Sequence, residues 1–280
     1  MKAGSIEEQA LAAARAVAAD HDVPCGQAVV INSASNVLVH LRPSPVVARV
    51  MTGTVVMHDD PERWLAREVS VLSFLAPSGV AVAPSPLIGP GPYQRGGLWM
   101  TFWESVEHRR QIDLDDDAER LGRALRDLHD ELSAFSGELP SFVDVQHDIE
   151  RLLRLLRPTA GLSPQRIESL EARLLALGET VFGAPSPAQA LHGDASLSNL
   201  LCSTSGRLVW NDFEDTFRGP VHWDVAGYVI SLEARGADSA FVARALDAYG
   251  RIDKRELAPF TAAHDVYDEI WQLYDAQRRA

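Results

Sequence analysis

Three polar residues in one short segment have side chains that could perform chemistry together. The segment LHGDASLSNLLCSTSGRLVWNDF contains Asp194, Asn199 and Asp212. The runs LLCS and RLVW are typical of two antiparallel strands, and a tight turn at Ser205-Gly206 would place Asn199 opposite Asp212. Two side-chain oxygens at the open end of such a hairpin are suited to a hard cation such as Mg²⁺. Asp194 lies on the loop just before the hairpin, within reach of the same space.

Phosphoryl transfer needs this set of groups. Oxygen ligands hold a metal ion that neutralises the phosphates, and a carboxylate accepts the proton of the attacking hydroxyl. Polar residues also collect at hairpin ends as turn and capping groups, so each residue alone has an ordinary structural explanation. The three together favour a metal-assisted transfer to a hydroxyl group.

The same segment and the residues after it resemble one family in detail. The matching residues are His192, Gly193, Asp194 and Asn199 as H-G-D-x-x-x-x-N, Asp212 in NDFED, and GPVHWDVA at 219–226. This succession is similar to the catalytic loop, metal-binding aspartate and trailing segment of the aminoglycoside phosphotransferases and their choline kinase relatives, which share the protein kinase fold. Val225 stands where leucine is usual in that family.

The resemblance implies a role for each matching residue. Asp194 is expected to be the catalytic base, and Asn199 and Asp212 are expected to hold the Mg²⁺ ions that bridge the phosphates of ATP or GTP. Glu214, two residues after Asp212, is a further candidate metal ligand. The expected reaction moves the γ-phosphoryl group of the nucleotide to an alcohol group of a small molecule.

Two residues are expected to brace the catalytic loop. A histidine beside a catalytic aspartate stabilises a loop by hydrogen bonding, which is the role favoured for His192. Asp224 opens the helical run WDVAGYVI, where a first-turn acid is stabilised by the helix dipole. The resemblance implies that Asp224 also steadies the loop.

The lysine that kinases of this fold use to hold the α- and β-phosphates is absent from its usual place. The third β-rich run reads VVARVM, and Arg49 stands where the lysine is expected. Glu68 lies on the apolar stripe of the next helical pattern, and a buried carboxylate needs a cationic or hydrogen-bonding partner. Arg49 and Glu68 are therefore predicted to pair. Lys2 and Lys254, the only lysines, are both far from this strand in sequence.

Two further segments are predicted to bind the nucleotide. The segment INSASNV replaces a glycine-rich loop, and its small residues, including Ser33 and Ser35, would let backbone N–H groups approach phosphates. The run WMTFWE at 99–104 is predicted to be the hinge whose backbone binds the base, with Met100 or Phe102 packing on it. A buried core strand is the other interpretation of this run.

The acceptor site is predicted to lie on the C-terminal helix HDVYDEIWQLYD. This helix offers Asp265, Asp268 and Glu269 near Trp271, although a solvated helix face has the same pattern. The formal charge of −13 repels a phosphate backbone and attracts cations. The expected acceptor is thus a hydroxylated, cationic small molecule such as an aminoglycoside or a related antibiotic, and nucleic acid is not an expected partner.

The elements that must position these residues fall into two parts. Residues 1–104 contain a helical pattern, three β-rich runs, a second helix and the apolar run LWMTFW. Residues 105–280 are mainly helical in pattern apart from 191–213. The predicted fold class is α+β, a two-lobed protein kinase-like fold. A small antiparallel-sheet lobe with the hinge (1–104) would bind the nucleotide, and a larger helical lobe (105–280) would carry the catalytic loop and acceptor site.

Other features set the expected location of the protein. No apolar run is long enough to span a membrane, and the first residues carry acids where a secretory signal has an apolar core. Cys25 and Cys202 show neither a disulfide framework nor a zinc-binding spacing. A cytoplasmic enzyme without a membrane partner is therefore expected.

Two other functions stay open beside the small-molecule kinase. The first is a nucleotide-binding pseudokinase or regulatory module without turnover, which the replacement of lysine by Arg49 suggests. The second is a metal-dependent hydrolase, because histidine and aspartate also bind catalytic zinc or iron. The residues of that cluster would be His192, Asp194, Asp212, His222 and Asp224.

Overall fold

The computed structural model describes residues 5–53, 60–109, Ile112, Leu114, 117–159, 161–183, 187–250 and 252–279. Within these residues the helices are α1 (Ile6–Asp20), α2 (Pro61–Leu75), α3 (Ala118–Ser133), α4 (Phe142–Leu155), α5 (Pro164–Leu177), α6 (His222–Ala234), α7 (Ser239–Tyr249) and α8 (Lys254–Arg279). The strands are β1 (Cys25–Ser33), β2 (Val37–Pro43), β3 (Val46–Val50), β4 (Tyr93–Arg95), β5 (Leu98–Glu104), β6 (Gln189–Leu191), β7 (Leu200–Cys202), β8 (Leu208–Trp210) and β9 (Phe217–Gly219). Lys2 lies outside the described residues.

The chain divides into two structural units. The first consists of Met1–Gln111, Phe135–Gly137 and Leu201–Glu214. Its described residues contain a five-stranded antiparallel sheet in the order β1-β2-β3-β5-β4. Helix α1 packs on this sheet through alanines, whose small side chains bring the helix close to the strands. The antiparallel sheet predicted for the first part of the chain is confirmed.

The alternation of side chains along β3 and β5 separates the two faces of this sheet. Arg49 on β3 pairs with Thr101 on β5, and both side chains contact Glu68 of α2. Met100 and Phe102 flank Thr101 and therefore point to the opposite face. Both are fully buried in the core that includes α1.

Helix α2 presents one acid to the interior of the first unit. Its start is fixed by Asp60, whose side chain accepts the backbone N–H of Arg63 at 3.0 Å, and by Pro61 in the first turn. Glu68 lies on the same buried stripe as Leu65 and Leu72, and only 1% of it is exposed. The predicted position of Glu68 on the apolar stripe is confirmed.

The turn between β7 and β8 differs from the sequence prediction. Ser203 N–H donates to Arg207 O at 2.8 Å, and Gly206 N–H donates to Ser203 O at 2.8 Å. Gly206 has a φ of 86°, the left-handed conformation that closes a three-residue hairpin turn. The hairpin itself is confirmed, but the two-residue turn at Ser205-Gly206 is wrong. The observed turn shifts the pairing of the strands by one residue.

The second unit is mainly helical, as the sequence predicts, and consists of Ile112–Ala134, Glu138–Leu200 and Asp215–Ala280. Strand β6 pairs with β9. The rings of Phe142, Phe182, Phe217 and Trp223 pack together in its core. Helix α3 approaches α7 closely at Gly122, where a Cβ atom would lie 2.0 Å from the carbonyl oxygen of Ala245.

Two expectations about the whole chain can be compared with the described residues. Among them, no helix combines the length and apolar character needed to cross a lipid bilayer. Cys25 and Cys202 are free thiols, as the sequence predicts. The α+β fold class is also confirmed.

Candidate active site

One buried cation meets three carboxylates in the first unit. Arg49 Nη1 lies 3.3 Å from Glu68 Oε2, while Nη2 lies 2.5 Å from Glu214 Oε2 and 3.0 Å from Asp212 Oδ1. We call these four residues the Arg49 cluster. The structure thus contains the ion pair between Arg49 and Glu68 that the sequence predicts. It also places two further acids around the same guanidinium group.

The two nitrogens at the end of the Arg49 side chain make different contacts. Nη1 donates a hydrogen bond to Glu68. Nη2 is buried and makes close ion contacts with the carboxylates of Glu214 and Asp212. The planar guanidinium group of Arg49 is also suited to bind a phosphate oxygen.

The Arg49 cluster has more negative than positive groups. Burial, together with the charges of Asp212 and Glu214, raises the pKa of Glu68 to about 7, although the charge of Arg49 lowers it. Burial opposes the charged form of Arg49, yet the three carboxylates hold its pKa well above the usual value. One full positive charge therefore faces three acids, so negative groups outnumber positive ones around Asp212.

Glu214 is held by residues that the sequence analysis did not identify. Asn36 Nδ2 lies 3.2 Å and 3.4 Å from the two carboxylate oxygens of Glu214, and the backbone N–H of Thr52 donates to Asn36 Oδ1 at 3.2 Å. Arg67 Nη2 donates to the carbonyl oxygen of Glu214 at 2.7 Å, and the Arg67 guanidinium lies 3.8 Å from the ring centroid of Trp64. The Glu214 backbone and side chain are thus both fixed.

The end of β1 and the turn that follows it carry the two predicted phosphate-contacting serines. Ser33 ends β1 and is exposed. The carbonyl oxygen of Ser35 accepts the backbone N–H of Gly53 at 2.7 Å, which ties this turn to the residues after β3. Asn36 follows directly, so the turn that carries the serines also carries the residue that holds Glu214.

Asp212 and the predicted base-packing residues differ in exposure. The Asp212 side chain is 38% exposed, and its φ of 65° places its backbone in the left-handed region that aspartate tolerates better than most residues. Met100 and Phe102 are fully buried on the face opposite Arg49. The structure therefore does not bring these two side chains to the Arg49 cluster, and it shows the buried core strand that was the other interpretation.

In the second unit, Asn199 fixes the carboxylate of Asp194. Asn199 Nδ2 donates to Asp194 Oδ2 at 2.8 Å and to the Asp194 carbonyl oxygen at 2.9 Å. Leu197 N–H donates to Ser231 Oγ at 3.1 Å, which ties the intervening turn to α6. We call residues 192–199 the Asp194 loop.

Asp224 holds the start of the Asp194 loop. Its Oδ2 accepts the backbone N–H of His192 at 2.8 Å and its Oδ1 accepts that of Gly193 at 3.0 Å, while His129 Nε2 lies 3.0 Å from Oδ2. Burial alone would raise the pKa of Asp224, but the hydrogen bond and charge of His129 and the N–H of His192 hold it below its usual value. The structure thus shows the loop contacts that the resemblance implies for Asp224.

The loop conformation also depends on its glycine and on two buried rings. Gly193 has a φ of 91°, and a Cβ atom there would lie 2.0 Å from the carbonyl oxygen of Asp215. Trp223 Nε1 donates to the Gly193 carbonyl oxygen at 2.9 Å. His192 is fully buried, and the Asp194 N–H donates to its Nδ1 at 3.3 Å. This is the bracing contact expected of His192.

His129 and Tyr249 extend this network and were not identified from the sequence. His129 Nδ1 lies 2.8 Å from the Tyr249 hydroxyl, and both residues are buried. His129 lies on the apolar stripe of the helical pattern AERLGRALRDLHDEL. A histidine on a buried helical stripe was the available signal, because such a group needs a polar partner.

The predicted acceptor residues on α8 divide into two groups. Desolvation, followed by the charges of Asp194 and Asp265, raises the pKa of Asp268 to about 6 although the residue as a whole is exposed. Asp268 therefore lies within electrostatic range of the Asp194 carboxylate. The ring of Trp271 contacts the ring of Tyr274.

Glu269, by contrast, is engaged by two arginines. Arg173 Nη1 lies 2.6 Å from its Oε2, and Arg166 contacts its Oε1. For the hydrolase alternative, His222 lies 3.5 Å from Glu256 and stacks on Phe260. Within the described part of the chain, no group of three or more histidines, cysteines or acids is arranged to hold a metal ion.

Solved structures of small-molecule kinases share this fold. The choline kinase LicA from Streptococcus pneumoniae has a TM-score of 0.70 at 15% identity, with 94% of this chain and 89% of that chain covered. The amicoumacin kinase hAmiN, solved with AMP-PNP, Ca²⁺ and Ami, has a TM-score of 0.72 at 13% identity, with 98% and 89% covered. An aminoglycoside-3'-phosphotransferase of type VIII has a TM-score of 0.66 at 19% identity, with 92% and 98% covered. The protein kinase-like fold is confirmed.

The family is shown by a sequence model. The model of the phosphotransferase enzyme family matches residues 28–260, and the chain belongs to this family. A search of curated protein sequences found no match. The chain is therefore a small-molecule phosphotransferase that acts on hydroxyl groups, as the resemblance implies.

Proposed function

We propose that this phosphotransferase moves the γ-phosphoryl group of ATP or GTP to a hydroxyl of an amine-bearing small molecule, with Asp194 as catalytic base. The observation that carries the proposal is the Asp194 loop, in which Asn199 fixes one oxygen of the Asp194 carboxylate. Asp224 accepts two backbone N–H groups of the same loop. Its pKa is below the ordinary aspartate value, so it is a charged acceptor. A carboxylate fixed in this way is suited to receive a proton.

The proton transfer follows from the chemistry of the transferred group. As the acceptor oxygen forms its bond to the γ-phosphorus, the bond to the leaving nucleotide oxygen breaks and the hydroxyl proton becomes acidic. Asp194 would accept that proton. Asn199 restrains the orientation of the carboxylate, and His192 restrains the Asp194 backbone.

Mg²⁺, when bound, would neutralise the phosphate charge. Asn199 and Asp212 would hold it through oxygen atoms, which magnesium prefers. The excess negative charge around Asp212 in the Arg49 cluster fits a divalent cation. Arg49, anchored by Glu68, would bind the α- and β-phosphates through the N–H groups of Nη2.

Residues 1–104 would form the nucleotide-binding part and 105–280 the catalytic and acceptor-binding part. Ser33 and Ser35 belong to the turn that would approach the phosphates. The backbone of 99–104 would act as the hinge for the base. Since Met100 and Phe102 are buried against the α1 core, their contribution would be to support this strand.

An amine-bearing acceptor is supported by charge on α8. Asp265 and Asp268 lie in electrostatic range of each other, and Asp194 adds to the same negative field. The three solved relatives are kinases of choline, amicoumacin and an aminoglycoside. The net charge of −13 favours a cationic acceptor by long-range attraction. Glu269, with Arg166 and Arg173, would shape the site, and Trp271 would flank it.

The test is magnesium-dependent transfer from labelled ATP and GTP to aminoglycosides, amicoumacin, choline and ethanolamine. Asp194→Asn is expected to lower kcat about 10³-fold, because general-base catalysis contributes on that order. Asp127→Asn, an exposed residue on α3, is the matched control and should leave kcat unchanged. Nucleotide binding without transfer to any acceptor would instead support the module without turnover. Protection of a susceptible bacterium against a phosphorylated antibiotic would test a role in resistance.

A further inference from the structure

Glu214 contacts Arg49 more closely than either of the other two acids does. The separation is 2.5 Å from Nη2, against 3.0 Å for Asp212 and 3.3 Å for the Nη1 contact of Glu68. Both oxygens of Glu214 also lie within hydrogen-bond distance of Asn36 Nδ2. Glu214 is only 6% exposed. Its carboxylate is thus committed to Arg49 and Asn36.

This arrangement needs a cation with two separate nitrogens. Arg49 uses Nη1 for Glu68 on α2 and Nη2 for Glu214, so one side chain makes ion contacts with two buried carboxylates at once. A lysine has a single charged nitrogen on a flexible stem and lacks the planar fork. At position 49 it would pair with one of the two acids and lose the close ion contact with the other, which is costly for buried carboxylates.

We propose that Glu214, fixed by Asn36, is a positioning residue that makes arginine the required cation at position 49. Glu214 draws Nη2 to a defined place beside Asp212, whereas Glu68 holds Nη1. The phosphate-binding group of this chain is then the unit of Arg49, Glu68, Glu214 and Asn36. The proposal rests on the proposed function, since it assigns the phosphates to Arg49, and it removes Glu214 from the set of candidate metal ligands.

The decisive experiment exchanges the cation with and without Glu214. Arg49→Lys is expected to lower kcat/KM for the nucleotide about 100-fold, because one buried carboxylate loses its partner. The double variant Arg49→Lys with Glu214→Gln is expected to recover about tenfold of that loss, since lysine then needs to neutralise only Glu68. Glu214→Gln alone is expected to raise the nucleotide KM about tenfold while changing kcat less, because Arg49 loses its second anchor.

A matched control tests whether any loss of negative charge rescues lysine. Glu233→Gln removes the same charge from a surface ion pair with Lys254. It should leave the wild-type enzyme unchanged and should not improve Arg49→Lys. If Glu214→Gln folds poorly, Asn36→Ala serves in its place, because it frees Glu214 to turn away from the cation and should also improve Arg49→Lys.

A second measurement is independent of turnover. Denaturant unfolding of the four proteins in the Arg49→Lys and Glu214→Gln cycle needs neither nucleotide nor acceptor. The cycle is expected to show a coupling of about tenfold in the folding equilibrium constant. If the wild type transfers no phosphoryl group but this coupling is present, the proposed function fails while the pairing of Glu214 with Arg49 stands.

Two results would overturn the proposal. The first is an Arg49→Lys enzyme with wild-type kcat/KM, because lysine would then satisfy the site in the presence of Glu214. The second is a double variant no better than Arg49→Lys alone together with an additive stability cycle. In that case Glu214 would not determine the cation, and the rescue by Asn36→Ala should be absent as well.

Discussion

The Asp194 loop and the Arg49 cluster are held by different kinds of interaction. Asp224 accepts two backbone N–H groups of the loop at 2.8 Å and 3.0 Å, and each of these is a directed hydrogen bond. In the Arg49 cluster the Nη2 atom is held by close ion contacts with Glu214 and Asp212. Directed hydrogen bonds to one acid therefore hold the loop, whereas the cluster depends mainly on the balance between one cation and three acids.

This difference predicts how each region should respond to mutation. Directed hydrogen bonds require a donor and an acceptor at fixed positions. A substitution that keeps the shape of a side chain but turns an acceptor into a donor is therefore costly. Charge contacts depend mainly on the sum of nearby charges, so a second substitution can compensate for the first. The loop is expected to be intolerant of single changes, and the cluster is expected to show compensation.

Asp224→Asn should produce the largest effect. The NH₂ group of the new asparagine would face the backbone N–H of either His192 or Gly193. That buried N–H group would then have lost its acceptor. We expect a loss of about 4 kcal/mol in the free energy of unfolding at pH 7, measured with denaturant. Asp127→Asn is the control. A loss below about 1 kcal/mol would show that the hydrogen bonds to Asp224 do not determine the loop conformation.

The same residue predicts a pH dependence. The pKa of Asp224 is lowered in the folded chain, so its stabilising contribution is fully present above the unfolded-state value of about 4. That contribution should be lost as the pH falls from about 4 through the lower folded-state pKa. Asp224→Asn should lack this part of the acid transition. An unchanged acid transition in the variant would contradict the assignment.

Gly193→Ala should be the next largest effect. The new Cβ atom would meet the carbonyl oxygen of Asp215 at 2.0 Å, and the φ of 91° is unfavourable for alanine. We expect about 3 kcal/mol of destabilisation. Gly206→Ala is a matched control, because its φ is 86° but a Cβ atom there has nothing within 4 Å. It should cost about 1 kcal/mol, and equal costs at both glycines would contradict the clash.

The loop could be predicted from sequence because its chemistry is local. Asp194 and Asn199 lie five residues apart and hydrogen-bond directly. Glu68 was also predictable, since an acid on an apolar helical stripe requires a partner. Asp224 was identified by its resemblance to a family segment, although its partner His129 was not. The helices and the antiparallel sheet followed from hydrophobic periodicity.

Other parts could not be predicted, for physical reasons. Asn36 and Glu214 are 178 positions apart, so no spacing pattern connects them. Strand β5 is buried on both faces from Met100 to Trp103, so its residues show no alternation that reveals which face they occupy. A serine followed by glycine before Arg207 is compatible with a two-residue or a three-residue hairpin turn. The two turns place the strands in registers that differ by one residue.

Thr101→Val tests a hydrogen bond that Glu68 receives from a residue other than Arg49. Thr101 Oγ1 donates to Glu68 Oε2 at the long distance of 3.4 Å and accepts from Trp103 Nε1 at 2.9 Å. Removing it should cost about 1.5 kcal/mol in unfolding free energy, less than either loop variant. Thr180→Val, at an exposed position, should change stability by less than about 0.5 kcal/mol. A cost equal to that of Asp224→Asn would show that the cluster depends on directed hydrogen bonds as strongly as the loop does.

The contribution of Asp268 to the region around Asp194 should depend on its charge rather than on directed hydrogen bonds. Its pKa of about 6 means that it is charged above that pH and neutral below it. For an amine-bearing acceptor, KM should therefore rise as the pH falls from 8 to 5, by at most about fivefold because an exposed charge pair contributes about 1 kcal/mol or less. Asp268→Asn should have the higher KM already at pH 8 and a flatter pH profile. Identical profiles for both enzymes would mean that Asp268 does not face the acceptor, and the contribution of charge would then be confined to the Arg49 cluster.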